Sequence, residues 1–190
     1  VQIQSKEFGR IATQNAKNVI LQKIREEERK VLYDQYYGME KEVVTGIVQR
    51  VMGKNVSINL GKADAILAEN EQVRGEEFHP TEHIKVYILE VKDTPKGPRI
   101  QVSRTHPGLV KRLFESEVAE VRDGTVEIKS IAREAGSRTK IAVWSNDPDV
   151  DPVGACVGMN GARVNSIVEE LRGEKIDIIN WDENPAILIE

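Results

Sequence analysis

Two glycines three positions apart, Gly158 and Gly161, open a helical pattern in Val157-Gly158-Met159-Asn160-Gly161-Ala162-Arg163-Val164. Glycine reaches backbone conformations closed to other residues, so the spacing predicts a tight turn that leaves N–H groups bare at a helix N-terminus. Those groups suit an oxyanion, above all a phosphate, which meets hydrogen-bond donors and a positive dipole end with no side chain in the way. The expected binding site is therefore Gly158, Met159, Asn160 and Gly161, with Arg163 just beyond the turn. Arg133, Arg138 and Lys140 sit in an upstream hairpin, together with Lys129, and are expected to add phosphate-pairing charge.

Other chemistries find no support. Cys156 lies in an apolar stretch beside Val157 and reads as a small core residue, not a nucleophile. His79 and His83 have a metal-binding spacing for a helix, but Pro80 breaks that helix and no third ligand is near. Asp147-x-Asp149-x-Asp151 starts like a calcium loop, yet Pro152 stands where glycine is needed and Gly158 where the bidentate carboxylate belongs. Nucleotide-binding glycine loops are missing as well. The expectation is a protein that is not an enzyme, with no catalytic residues, no metal and no cofactor.

The elements that must position the turn can be read from periodicity. Val110, Leu113 and Phe114 mark a helical face. Thr125–Ile131 alternates as a strand, with Val126, Ile128 and Ser130 on one side and Glu127, Lys129 and Ile131 on the other. Gly136-Ser137 turns the chain into a second strand, Lys140–Ser145. Pro152 can start a short helix that runs into the glycine turn. Val164, Ile167, Val168 and Leu171 recur at helical spacing, Gly173 stops that helix, and Ile176, Ile178 and Ile179 begin another strand. Helix, strand, strand, helix, Gly-x-x-Gly, helix, strand is the order of a KH domain of the bacterial type II form, whose glycine loop clamps an RNA backbone. Val157, Val164 and Ile141 are the expected floor for bases.

Residues 41–105 read as five short strands, at 44–51, 56–60, 64–68, 84–91 and 99–103, with one long polar loop after the third. That suits an OB-type barrel, a fold that binds single strands through charge and stacking. Upstream, Phe8, Ala12, Ala16, Ile20 and Ile24 recur every four residues on a helix that turns wholly charged from Arg25 to Lys30. No other helix of residues 1–105 covers that stripe, so it is expected to pack on a part outside this chain. The start at Val1 and the apolar Pro185–Glu190 end both read as cuts through a longer protein. The fold class is thus α+β: a helix (1–40), a five-stranded S1-type barrel (41–105), a type II KH domain (106–184) and the start of another KH domain (185–190).

With 190 residues, one cysteine and a net charge of −4, the chain reads as a soluble cytoplasmic protein, without a disulfide, a signal peptide or a membrane span. Residues 106–190 hold 10 basic and 16 acidic groups. The segment with the phosphate-binding turn is thus the most acidic, and binding requires that charge be segregated locally.

Three stretches resemble the first KH domain of the NusA family of bacterial transcription factors: Ile131–Val143 with Ala132-Arg133-Glu134-Ala135-Gly136-Ser137-Arg138-Thr139-Lys140, Asp151–Gly158, and Gly173–Asp177. Val44 to Arg104 is similar to that family's S1 barrel, and Phe8 to Tyr36 to the last helix of its polymerase-binding domain. The resemblance implies partnership with single-stranded RNA, with RNA polymerase and with other Nus factors, in pausing, termination and antitermination. Two departures stand out. Met159 and Asn160 occupy loop positions where many family members carry a basic residue, and Phe78 and Tyr87 are the only aromatics in the barrel. The alternatives are a protein-interaction scaffold and an S1/KH appendage of an RNA-degrading enzyme, in which the KH module precedes the S1.

Overall fold

The computed structural model describes residues 5–189, with side chains from Gly9 to Leu188. Val1 and Glu190 fall outside the described residues, and the side chain of Phe8 outside the described side chains. Helix α1 (Ser5–Tyr37) runs the length of the first segment. Ile20 and Ile24 stay about half exposed, and no described element covers them. The final turns are not free, because Leu32, Tyr33 and Tyr36 pack on the core of the next unit. The Tyr36 hydroxyl donates to the Leu60 carbonyl at 3.1 Å and accepts from the Lys62 amide at 3.2 Å.

That next unit is built from β1 (Val43–Met52), β2 (Asn55–Asn59), β3 (Asp64–Leu67), β4 (His83–Thr94) and β5 (Gly97–Ser103). The strands pair in the order β1-β2-β3-β5-β4, and β4 returns to β1 to close a barrel. Every contact is antiparallel except β3 with β5. Alternation points Val56, Ile58, Val86, Ile88, Ile100 and Val102 inward, where all are buried. Gly46 permits the tight closure, since a Cβ there would stand 2.3 Å from the Ile58 side chain.

The second unit comprises α2 (Pro107–Glu117), α3 (Ala119–Arg122), β6 (Val126–Glu134), β7 (Arg138–Ser145), α4 (Pro152–Val157), α5 (Ala162–Glu170), β8 (Lys175–Asn180) and α6 (Pro185–Ile189). Its sheet runs β6-β7-β8, with β7 and β8 parallel and β8 on the edge. Leu109, Val110, Leu113 and Phe114 of α2 join Cys156 and Ile167 against Ile141 and Val143 to form its core. One expectation fails here. The simple alternation along Thr125–Ile131 is broken by a bulge at Lys129, where the register shifts between Ile128 and Ser130. Ser130 therefore pairs with Ala142 on the outer face, and Ile131 pairs with Ile141 on the core side.

The two units are joined through Arg104, whose side chain is 1% exposed. Its Nη1 donates to the Lys85 carbonyl at 2.8 Å and to Glu170 at 3.3 Å, and its Nη2 donates to the Glu170 carbonyl at 3.0 Å and to Glu76. Nε takes the other Glu76 oxygen at 3.3 Å. All five donors of the guanidinium are thus satisfied. Glu170 also accepts the Lys85 amide at 3.0 Å, which binds the C-terminus of α5 directly to β4. Beside it, His106 stacks on Tyr87 at 4.6 Å and accepts the Gly108 amide at 2.9 Å, capping α2. Among the described residues, no helix is long and apolar enough to cross a membrane.

Removing one member of a buried ion network strands the others without partners, at a cost of about 3–5 kcal/mol. Arg104→Ala should lower the free energy of unfolding in urea by that order. A midpoint equal to that of the parent chain would refute the role assigned to Arg104.

Candidate nucleic-acid interface

The glycine turn forms because α4 must end and α5 must begin within four residues. Asp151 caps α4, accepting the Val153 amide at 3.1 Å, and Pro152 sits at its first position. At its far end the Gly158 amide reaches the Gly154 carbonyl at 2.9 Å. Gly158 then adopts φ 74°, ψ 176°, which a side chain tolerates poorly, and a Cβ would lie 2.8 Å from Arg163 Cγ. Asn160 and Gly161 follow with φ 53° and φ 76°, and α5 starts at Ala162. The Gly161 amide closes the turn on the Gly158 carbonyl at 3.2 Å. The amides of Met159 and Asn160 open this 3-10 turn, where no acceptor exists within it. Met159 is 87% exposed and Asn160 is exposed too, so the turn's tip faces solvent.

Arg163 lies beneath the turn. Its Nη1 donates to the Ala155 carbonyl at 2.7 Å and to Glu120 at 3.0 Å, drawing the end of α4, the start of α5 and α3 together. Sequence reading places Arg163 as a phosphate contact; the structure gives it the work of holding the turn. Cys156 is buried on the core side of α4, and burial pushes its thiol up to about 11.

The other expected cations are not gathered at the turn. Arg133 has a side chain 2% exposed, forks onto the Glu174 carboxylate at 3.1 Å and donates to the His106 carbonyl at 2.9 Å. It is withdrawn as an RNA contact. Glu174 in turn accepts from Thr139 at 2.8 Å and from the Gly136 amide at 2.6 Å, and so fixes the β6–β7 turn. Arg138 and Lys140 alternate along β7 with Thr139 and Ile141, which are buried toward the helices. They therefore occupy the opposite face of the sheet from α4 and α5. Arg138 is paired with Asp177, and hydrogen bonding from Arg138 holds that carboxyl below its usual range. Ile141 is fully buried, so no base reaches it and it leaves the expected floor.

The strand expected from Ile176, Ile178 and Ile179 is β8, but its place at the sheet edge beside the turn was not foreseen. Both α4 and α5 pack on it, its outer edge has no partner strand among the described residues, and Ile176 and Ile178 are only partly buried on the helix side. Together α4, the turn, α5 and this open edge offer backbone donors and acceptors beside partly exposed apolar surface, with Val157 and Val164 half-buried among them. The signal was present in the alternating isoleucines, but only the strand order marks β8 as an edge.

Residues 104–181 match the family model described as the NusA-like first KH domain, and residues 1–30 match the NusA N-terminal domain. The chain is 57% identical over 186 residues to the transcription termination/antitermination protein NusA of Bacillus subtilis, covering 98% of this chain and 50% of that protein. It is 53% identical over 186 residues to the protein of the same name from Halalkalibacterium halodurans, covering 98% and 49%. Identity to the one from Thermus thermophilus is 44% over 188 residues, again covering 98% and 49%. The chain thus spans about half the length of the curated relatives it matches.

Because burial disfavours the thiolate, Cys156 should resist alkylation by iodoacetamide at pH 8 in the folded chain and react readily in urea. Equal rates in both states would show that the thiol is not enclosed.

Proposed function

Over the half of their length that it spans, the chain belongs to the NusA family, and on that footing we propose that it holds nascent single-stranded RNA beside the Gly158–Gly161 turn. The observation that carries this reading is the pair of exposed loop residues between glycines of positive φ, next to an unpaired strand edge. Met159 and Asn160 bring no charge, so the backbone amides do the phosphate binding and the edge of β8 offers groups for bases. The barrel adds charge and shape more than stacking. In this reading residues 41–105 act as an S1-type unit and 106–184 as a type II KH unit, and 185–190 begin a further KH domain.

The function is binding without catalysis, in the bacterial cytoplasm. The parent protein works with RNA polymerase and other Nus factors in pausing, termination and antitermination, and the chain's part is to hold the transcript.

Gly158 itself makes a poor test, since any side chain there collides with Arg163. The exposed pair is cleaner, because aspartate tolerates the left-handed backbone of Asn160. The double change Met159→Asp, Asn160→Asp should keep the melting temperature and weaken binding of a labelled single-stranded RNA at least tenfold. Parent-like affinity in that variant would overturn the site. Affinity of the unaltered chain should also fall steeply from 50 to 200 mM salt, as about one counterion is released per phosphate neutralised. A flat salt response would exclude phosphate recognition.

A further inference from the structure

The outer face of the β6-β7-β8 sheet, turned away from α2, α4 and α5, is where Arg138 and Lys140, two of the cations expected at the glycine turn, lie. Register pairs Arg138 with Lys175 and Lys140 with Asp177 on this face. The Asp177 carboxyl is held down first by its hydrogen bond from Arg138, and also by the nearby charges of Lys140 and Lys175. Neither lysine makes an ion pair among the described residues. With Lys129 the face carries four cations against Glu127, Glu134 and Asp177, whereas residues 106–190 as a whole hold 10 basic and 16 acidic groups. Lys129 is paired with Glu127 and Arg138 with Asp177, which leaves Lys140 and Lys175 as the cations of these strands without an ion pair among the described residues.

The same surface carries both tryptophans of the chain. Trp144 ends the outward row of β7, and Trp181 continues β8, its amide donating to the Val143 carbonyl at 2.8 Å. The indoles meet edge to face, centroids 5.9 Å apart at 85°, and the Lys129 ammonium stands 5.8 Å from the Trp181 ring. Trp144 is 44% exposed, an unusual position for the largest apolar side chain. Helix α6 brings Leu188 beside Ala142 and Ile179 in the middle of the face.

We propose that this outer face is a second contact for single-stranded RNA, with one nucleobase stacked on the Trp144 indole and neighbouring phosphates paired with Lys140 and Lys175. An exposed indole held upright by a perpendicular neighbour offers a sequence-tolerant platform for a base. The lysines without an ion pair among the described residues supply the charge that a phosphate backbone seeks. The inference rests on the reading of the chain as an RNA binder and extends the path of the strand from the glycine turn to the far side of the sheet.

Since both tryptophans lie here, their emission reports on this face alone. A single-stranded RNA of twelve nucleotides with a terminal dye is titrated with the chain, following dye anisotropy for total binding and tryptophan emission for this face. Expected are quenching that saturates with the anisotropy, about a tenfold loss of affinity in Trp144→Ala, the order of one stacked base, and recovery of most of it in Trp144→Phe. Lys140→Glu should weaken binding further and flatten the salt dependence. Full anisotropy change with unaltered emission and parent affinity in Trp144→Ala would overturn the proposal and leave the glycine turn as the RNA site. No anisotropy change with the unaltered chain would instead remove the RNA reading on which both sites stand.

Discussion

A buried guanidinium is tolerable only when every N–H finds an acceptor, and meeting that condition at Arg104 dictates how the molecule is assembled. The acceptors come from three places: Glu76 in the long barrel loop, the Lys85 carbonyl on β4, and the carboxylate and carbonyl of Glu170 at the end of α5. No one of these can move without stranding a charge in a dry environment. Because α5 begins directly after Gly161, the clamp at its far end sets where the glycine turn stands relative to the barrel. Arg172 reinforces the joint through Glu82 at 2.8 Å and over the face of Phe78. Gly136, packed so close that a Cβ would lie 2.5 Å from a Val73 methyl, brings the β6–β7 turn against the same loop.

The turn itself shows a second economy of charge. Arg163 follows the glycine turn closely but points its Nη1 inward, to a helix-end carbonyl and a glutamate. Its contribution is rigidity: a glycine-rich corner left to itself loses more entropy on ordering than any other backbone. With that corner pinned, the backbone of Met159 and Asn160 is held in one conformation, and a ligand at the turn would not have to order it. Arg133 plays the same part on the other side of the unit, where its fork onto Glu174 locks the β6–β7 hairpin. Two arginines that read as ligands for phosphate are thus ligands for the protein.

The remaining cations follow the pleat. A β-strand puts alternate residues on opposite faces, so Arg138 and Lys140 cannot share a surface with the helices that Thr139 and Ile141 pack against. The face that carries Arg138 and Lys140 is the one that also bears the indoles.

Local pattern alone determined much of the protein. The five barrel strands, the capped α4, the apolar faces of α2 and α5 and the glycine turn all follow from side-chain period, from proline at a helix start and from glycine at positive φ. Those are short-range rules, satisfied within a few residues. What the sequence could not disclose depends on partners distant along the chain. Arg104 and Glu170 are 66 positions apart, and Arg133 and Glu174 are 41 apart, so neither pairing has a local signature. The bulge at Lys129, the edge position of β8 and the division of the cations between two faces likewise emerge only once strands have chosen neighbours. Charge can be counted in a sequence, but whether a cation meets solvent or a buried carboxylate is settled by the tertiary fold.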